Sequence, residues 1–137
     1  MSSGNAEIVR RSLEAFARGD FDAALAAFAP GAEWHTAADE PDSRTWRGTA
    51  EMRELMDRFA EPWADRFDGV QRFEGFSERG DWVIAAWVAR LRGRGSGMTV
   101  EASETWAVLV ERGAIVRVEE YRSLEQALAA VGGGAAP

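Results

Sequence analysis

The hydrophobic period of this chain changes from helical to alternating about halfway along the sequence, and that change limits the folds open to it. Before Pro62, apolar residues recur at intervals of three and four, whereas beyond Val70 they alternate with polar residues. Helices followed by strands that short turns connect are typical of an α+β domain. We therefore expect three N-terminal helices packed on one face of a strongly curved antiparallel sheet.

Three amphipathic helices and one short strand are predicted in the first half of the chain. Their limits follow from N-cap residues and from helix breakers. In order, they are a helix over 5–18, a helix that Asp20 caps and that carries Phe28 on its apolar stripe, a strand over 33–36 followed by a polar loop over 37–44, and a helix that Thr49 caps and Pro62 ends.

Four strands are predicted in the second half, each connected to the next by a short hairpin turn. They cover 70–76, 82–91, 98–110 and 115–121, with turn residues at Arg79-Gly80, at 93–97 and at Arg112-Gly113. Ser123 is then expected to cap one or two final helical turns.

The hairpin turns assign the side chains of these strands to two faces. A turn centred on Gly95 sets Trp87 opposite Ser103, and a two-residue turn after Glu111 sets Thr105 opposite Glu120. One face is then expected to hold Val83, Ala85, Trp87, Ala89, Glu101, Ser103, Thr105, Ala107, Val118, Glu120 and Arg122. The other is expected to hold Trp82, Ile84, Val88, Arg90, Glu104, Trp106, Arg117, Glu119 and Tyr121. A slip of one residue would exchange these assignments.

Composition excludes several classes of function. A length of 137 residues, 46% hydrophobic and 28% charged, fits one globular domain over 5–131, with disordered ends at 1–4 and 132–137. Without cysteine and with a single histidine, His35, there is no basis for a thiolate or multi-histidine metal site, so we expect no metal and no cofactor. The net charge of −7 disfavours nucleic acid as a partner.

No membrane partner is expected either. The first residues lack the charged and apolar regions of a signal peptide, and no apolar run is long enough to span a bilayer. The sequence predicts a cytoplasmic protein.

Tryptophan is abundant: there are six tryptophans and one tyrosine. All six indoles can serve as packing in the core. Alternatively, at least three line a cavity, because apolar ligand pockets are typically walled by aromatic side chains. The partner that this second interpretation predicts is a small hydrophobic molecule.

Several stretches resemble the SnoaL-like branch of the nuclear transport factor 2-like superfamily, which includes the ketosteroid isomerases. The similar segments include WRGTAEMREL, GRGSGMTVEAS and RGAIVRVEEYRSLEQALAAVG. The resemblance implies a cone-shaped fold with a pocket on the concave side of the sheet, and it favours the face of Trp87 as that side. Because members of this superfamily have many different activities, the resemblance does not specify a reaction.

Within that implied pocket, three charged side chains are candidate catalytic residues. Glu101 and Glu120 are candidates for moving a proton, and Arg122 for polarising an oxygen of the ligand. His35 is a candidate proton shuttle at the cavity mouth. The alternatives are an ion pair that only fixes the sheet and an ordinary surface histidine. The predicted pocket walls are Trp34, Met52, Met56, Phe59, Trp63, Trp87, Ser103, Thr105 and Val118.

The reactions of the named relatives find incomplete counterparts in this sequence. The ketosteroid isomerase roles fall on Ser12, Thr36 and Thr105, which cannot perform them. The acid expected after His35 in a SnoaL-type cyclase is missing, and the Asp-Arg-Asp cluster of limonene epoxide hydrolases is only loosely imitated. Two hypotheses remain: a cofactor-free acid–base enzyme of the isomerase, cyclase, dehydratase or epoxide hydrolase type, and a non-catalytic ligand-binding or dimerisation module.

The second sheet face predicts a homodimer. Trp82, Ile84, Val88, Trp106 and Tyr121 would form an exposed apolar patch on that outer face of a monomer. Such patches usually mark interfaces. We therefore expect two copies to associate through the outer face with two-fold symmetry.

Overall fold

The fold is an α+β domain with helices on both faces of a curved, open, six-stranded sheet. The structure is a computed structural model that describes residues 4–38, 41, 43–61, 71–93 and 95–135. Its elements are α1 (Asn5–Ala17), α2 (Phe21–Leu25), β1 (Phe28–His35), β2 (Thr45–Arg47), α3 (Gly48–Ala60), β3 (Gln71–Arg79), β4 (Trp82–Arg92), β5 (Thr99–Glu111), β6 (Ala114–Tyr121) and α4 (Leu124–Ala135). The predicted fold class is confirmed.

The strands are ordered β2-β1-β6-β5-β4-β3 across the sheet. Neighbouring strands are antiparallel except β1 and β6, which run parallel. Because β1 ends at His35 and β6 at Tyr121, both strands end at the same edge of the sheet. The residues that follow them are therefore brought close together.

The first strand is longer than predicted, and the second helix is shorter. Phe28 lies in β1, not on the apolar stripe of α2, and the carbonyl of Ala27 accepts a 2.8 Å hydrogen bond from the backbone N–H of Ile115. Pro30, which has no N–H to donate, lies where the register with β6 shifts between Phe28 and Glu33. Tertiary pairing with β6 thus overrides the local helical pattern.

The third helix begins two residues earlier than predicted. It starts at Gly48, whose φ of +84° suits glycine, after Arg47, and the N-cap position has no side-chain hydrogen bond. The prediction of Thr49 as N-cap was therefore wrong. Instead, the carboxylate of Glu51 accepts a 2.9 Å hydrogen bond from the backbone N–H of Arg47.

The hairpin between β4 and β5 has a register one residue away from the predicted one. The backbone N–H of Gly93 donates to the carbonyl of Met98 at 2.7 Å, which leaves an even number of loop residues between them. A turn centred on Gly95 would need an odd number. Trp87 consequently faces Glu104 and not Ser103.

The β5–β6 hairpin starts as predicted and then departs from the prediction. Glu111 pairs with Ala114 across the two-residue turn, in which Arg112 has a φ of 54° and Gly113 a φ of 79°. A bulge between Leu109 and Val110 then shifts the register by one. Farther from the turn, the residue opposite Glu120 is Trp106, whereas Thr105 was predicted to lie there.

Together these two shifts exchange the faces of β5. The inner face, which packs against α1 and α3, carries Trp87, Glu104, Trp106 and Glu120. The outer face carries Glu101, Ser103 and Thr105. The predictions for β4 and β6 agree with the structure, whereas those for Glu101, Ser103, Thr105, Ala107, Glu104 and Trp106 were wrong.

The last helix is longer than the one or two turns predicted, and it lies on the outer face. Ser123 caps it as expected, since its hydroxyl accepts a 3.1 Å hydrogen bond from the backbone N–H of Gln126. Ala127 and Val131 pack on Ile84 and Ala107 of the sheet. Part of the apolar patch predicted to be exposed is therefore covered by α4, which continues into the segment expected to be disordered.

None of the helices in the described part of the chain combines the length and the apolar character that crossing a membrane requires.

Candidate functional site

Two carboxylates of low exposure lie on the inner face of neighbouring strands. Glu120 is 9% exposed, and its Oε2 accepts a 2.6 Å hydrogen bond from Nε1 of Trp34. Oε1 of Glu104 accepts a 3.0 Å hydrogen bond from Nε1 of Trp106, and its Oε2 lies 3.7 Å from Nη1 of Arg122. We call Glu104, Glu120 and Arg122 the carboxylate cluster. Because burying a carboxylate is costly without donors, the two indoles determine where these groups lie.

The carboxylate cluster borders a continuous group of buried rings, which we call the aromatic core. Trp106 is fully buried at its centre, with its ring centroid 5.0 Å from that of Trp34, 5.7 Å from Trp87 and 6.0 Å from Phe16. The sequence assigned Ser103 and Thr105 to the face of Trp87 and Trp106 to the opposite face. The shifted register instead places the Trp106 indole beside Trp87.

Most of the predicted pocket residues belong to the core that packs on the inner face. They are Trp34, Met52, Met56, Phe59, Trp87 and Val118. Ser103 is exposed and Thr105 is buried, both on the outer face. Trp63 lies outside the described residues.

Glu101 does not join the other candidate catalytic residues. Its carboxylate pairs with Arg90 at 3.0 Å on the outer face, where both side chains are largely exposed. Glu104 stands in its place beside Arg122. Sequence reasoning missed Glu104 and Trp106, and the signal that would have found them is the even length of the β4–β5 loop.

A cleft of about 850 Å³ opens at the shared end of β1 and β6, and we call it the end cleft. Its lining residues are His35, Thr36, Ala37, Ala38, Ser43, Arg44, Thr45, Glu119, Glu120, Tyr121, Arg122, Gln126, Ala129 and Ala130. The structure therefore brings together three of the four predicted catalytic residues, namely His35, Glu120 and Arg122.

Hydrogen bonds hold the ring of His35 from both sides. Its Nε2 lies 2.9 Å from Oε1 of Glu33, and its Nδ1 lies 3.1 Å from the hydroxyl of Thr45. Arg47 bonds the other oxygen of Glu33 at 2.5 Å. The bond from Arg47, and then that from His35, lowers the pKa of Glu33. An imidazole held in this way can pass a proton between the end cleft and a carboxylate.

The single tyrosine lies in the same cleft. The phenol of Tyr121 donates a 2.5 Å hydrogen bond to Oε1 of Glu119, whose Oε2 lies 2.6 Å from Nε of Arg117. Burial, followed by the hydrogen bond to Glu119, raises the pKa of Tyr121 well above its ordinary value. The phenol is therefore a persistent hydrogen-bond donor.

The chemistry that these groups offer is proton transfer and oxygen binding. Two carboxylates and an imidazole can accept protons, and the guanidinium of Arg122 can polarise an oxygen. Within residues 4–38, 41, 43–61, 71–93 and 95–135, no group of three His, Cys, Asp or Glu side chains is arranged to hold a metal ion.

Helices packed on a curved, open sheet with the strand order β2-β1-β6-β5-β4-β3 place the chain in the class of nuclear transport factor 2-like domains. Within that class the chain belongs to the SnoaL-like family, because residues 9–118 match the SnoaL-like domain. No curated protein sequence matches the chain significantly.

Solved structures with the same fold cover nearly the whole chain. A protein from Jannaschia, provisionally named a SnoaL-like polyketide cyclase, superposes with a TM-score of 0.74 at 16% identity over 98% of this chain and 94% of its own. A nuclear transport factor 2-like protein from Burkholderia thailandensis gives 0.73 at 28% identity over 90% and 96%. The protein TerC, co-crystallised with polyporic acid, gives 0.71 at 20% identity over 94% and 98%.

Burial, together with the hydrogen bond to Glu119, predicts an unusual titration for Tyr121. A raised pKa means that this group stabilises the fold below its unfolded value of about 10, and that the contribution is lost as the pH rises through the folded value. Glu119→Gln removes the charged acceptor and should lower the pKa of Tyr121. Because the chain has one tyrosine, phenolate absorbance during a pH titration measures it directly.

The matched control is Glu111→Gln, which removes an exposed carboxylate from the same sheet. It should leave the titration of Tyr121 unchanged. Ordinary phenolate formation near pH 10 in the wild-type protein would contradict the assignment.

Proposed function

We propose that this protein binds a small hydrophobic metabolite and acts on it as a cofactor-free acid–base enzyme. The observation that carries the proposal is the carboxylate cluster, in which two carboxylates of low exposure sit at an aromatic wall with a guanidinium beside one of them. A base next to an apolar surface is what proton abstraction from an apolar ligand requires. The reactions open to such a site include isomerisation, cyclisation, dehydration and epoxide hydrolysis.

The end cleft supports the proposal because two members of the carboxylate cluster also belong to its lining. Glu120 and Arg122 belong to both regions, and His35 lies in the cleft with a half-buried ring. In the proposed reaction, Glu104 or Glu120 takes a proton from one atom of the ligand and gives it back to another, while Arg122 binds a ligand oxygen. His35, in the end cleft, exchanges protons with solvent. Polyporic acid, which TerC was crystallised with, is a ligand of that related protein and suggests aromatic compounds for testing here.

A second hypothesis is a non-catalytic ligand-binding or dimerisation module, and the packing of the rings favours it. Each carboxylate of the cluster already accepts a hydrogen bond from an indole. The ring of Trp106 is packed between those of Trp34 and Trp87. Such an arrangement can also serve only to fix the sheet. Turnover, tested below, separates the two hypotheses.

Ligand binding beside Trp87 should be sensitive to the size of its strand neighbour Ala89. This side chain is 6% exposed on the inner face, opposite Ala102. Ala89→Leu should weaken binding by about tenfold or more, equal to about 1.4 kcal/mol, at a stability cost of about 1–3 kcal/mol from overpacking. Tryptophan fluorescence with steroid, terpene and polyketide-like compounds measures the binding.

Ala86→Leu is the control, because Ala86 is half-buried on the opposite face of the same strand. It should leave binding within about twofold. If no compound quenches the wild-type fluorescence and Ala89→Leu is more stable than wild type, the space beside Trp87 is only a packing defect.

Turnover is then sought among the compounds that bind. Glu120→Gln and Glu104→Gln keep the size of each side chain and remove its basicity, so the residue that moves the proton should lose about 10²–10⁴-fold in rate. Glu111→Gln should keep the wild-type rate. Full turnover in both cluster variants would favour the non-catalytic module.

We also propose that two copies associate through the part of the outer face that α4 leaves open. A second cleft of about 650 Å³ lies there, lined in part by Val88, Arg90, Glu101 and Ser103. The exposed pair of Arg90 and Glu101 suits a two-fold contact, in which each arginine can face the partner copy's glutamate.

Light scattering at tens of micromolar should then show twice the 15.0 kDa of one chain. Arg90→Glu should yield monomers because it places like charges across the axis, and the double variant Arg90→Glu with Glu101→Arg should restore the dimer. A wild-type mass of one chain would remove the proposal.

A further inference from the structure

Two buried indole N–H groups find no acceptor among the described residues, and one of them lies in the aromatic core. Nε1 of Trp87 and Nε1 of Trp46 are buried without a hydrogen-bond partner, whereas the indoles of Trp34 and Trp106 donate to carboxylates. An unsatisfied buried donor loses its hydration without compensation, so native proteins rarely retain one without a reason.

The surroundings of the two indoles differ. Trp46 belongs to the edge strand β2, and its ring is covered by guanidinium groups, that of Arg44 at 3.6 Å and that of Arg58 at 5.5 Å from the ring centroid. Trp87 lies in the middle of β4 on the inner face and is 3% exposed. The orphaned donor of Trp87 is thus the one in the wall where the ligand is proposed to bind.

Trp87 has small neighbours along its own strand and aromatic rings packed against it, among them Trp106 with its ring centroid 5.7 Å away. Ala85 and Ala89 flank it on the same face of β4, and the ring of Phe59, which is only half-buried, lies 6.3 Å away in an edge contact. The carboxylate opposite, Glu104, is already bonded to another indole. A guest that displaces the ring of Phe59 can therefore reach the Trp87 indole without breaking the hydrogen bonds of the carboxylate cluster.

We infer that Trp87 is a specificity-determining residue whose indole N–H donates to a neutral oxygen acceptor, a carbonyl or hydroxyl, on an otherwise apolar ligand. The inference rests on the proposed ligand site and names the chemistry of its ligand. A pure hydrocarbon would leave the donor unsatisfied. An anionic acceptor would be repelled by the carboxylate of Glu104 and by the net charge of −7. A hydrocarbon and an anion should therefore both bind less tightly than a neutral ligand with a carbonyl or hydroxyl.

The test compares fluorenone with fluorene, which has nearly the same shape, and with fluorenecarboxylate, which adds an anionic group to the same ring system. In the wild-type protein, fluorenone should bind about 5- to 50-fold more tightly than fluorene, the range expected for one hydrogen bond to a buried donor. Fluorenecarboxylate should bind less well than fluorenone. Trp87→Phe should reduce the preference for the ketone to within about twofold. Trp82→Phe, on the outer face under α4, should keep the wild-type preference.

A measurement on the wild-type protein covers the case in which Trp87→Phe does not fold. The Nε1–H resonance of Trp87, assigned by NMR, should lie farther downfield in the fluorenone complex than in the fluorene complex, because both ligands carry aromatic rings and only the ketone accepts a hydrogen bond. Equal binding of the two with the same resonance position in both complexes would overturn the inference and leave the proposed ligand site standing. A ketone preference that survives Trp87→Phe would also overturn it. Binding of none of the probes would remove the ligand site and the inference together.

Discussion

The hydrogen bonds from two buried indoles to two carboxylates hold the centre of this domain together. Trp34 on β1 bonds Glu120 on β6, and Trp106 bonds Glu104 on its own strand β5. An uncompensated carboxylate would be too costly beside so many rings, so the indoles and the carboxylates depend on one another. With the indole orientations fixed in this way, the rings of α1 and α3 have a rigid surface on which to pack.

Local patterns were enough to predict most of the fold. The helical period located α1 and α3, and the alternation after the third helix located β3 to β6. One error falls where a distant strand determines the conformation, because Phe28 fits the helical pattern but pairs with Ile115. The strand β2 was not predicted because three residues are too few to show a period. Propensity is a weak guide where pairing of the backbone outweighs it.

The candidate site was harder to predict because its residues depend on register. His35, Glu120 and Arg122 were predicted and share the end cleft. Glu104 and Trp106 were assigned to the opposite face. The even number of residues in the β4–β5 loop shifts the register of β5 with β4 by one residue, and the bulge shifts its register with β6 by one residue. A strand has a side-chain period of two, so a single shift exchanges every side chain between faces. The bulge lies within residues 106–110 and 114–116, which are apolar on both faces, so the alternation does not reveal its position.

The distribution of hydrogen bonds also indicates which parts of the aromatic core can move to admit a guest. Trp34 and Trp106 are each restrained by a bond to a carboxylate, so displacing them would also expose a buried charge. Trp87 has no such bond, and the side chains of Met52 and Met56 are flexible. For the ligand that we propose, the β4 side of the core is therefore the easiest to open. There the guest can offer the acceptor that Trp87 lacks, while the carboxylate cluster keeps its geometry.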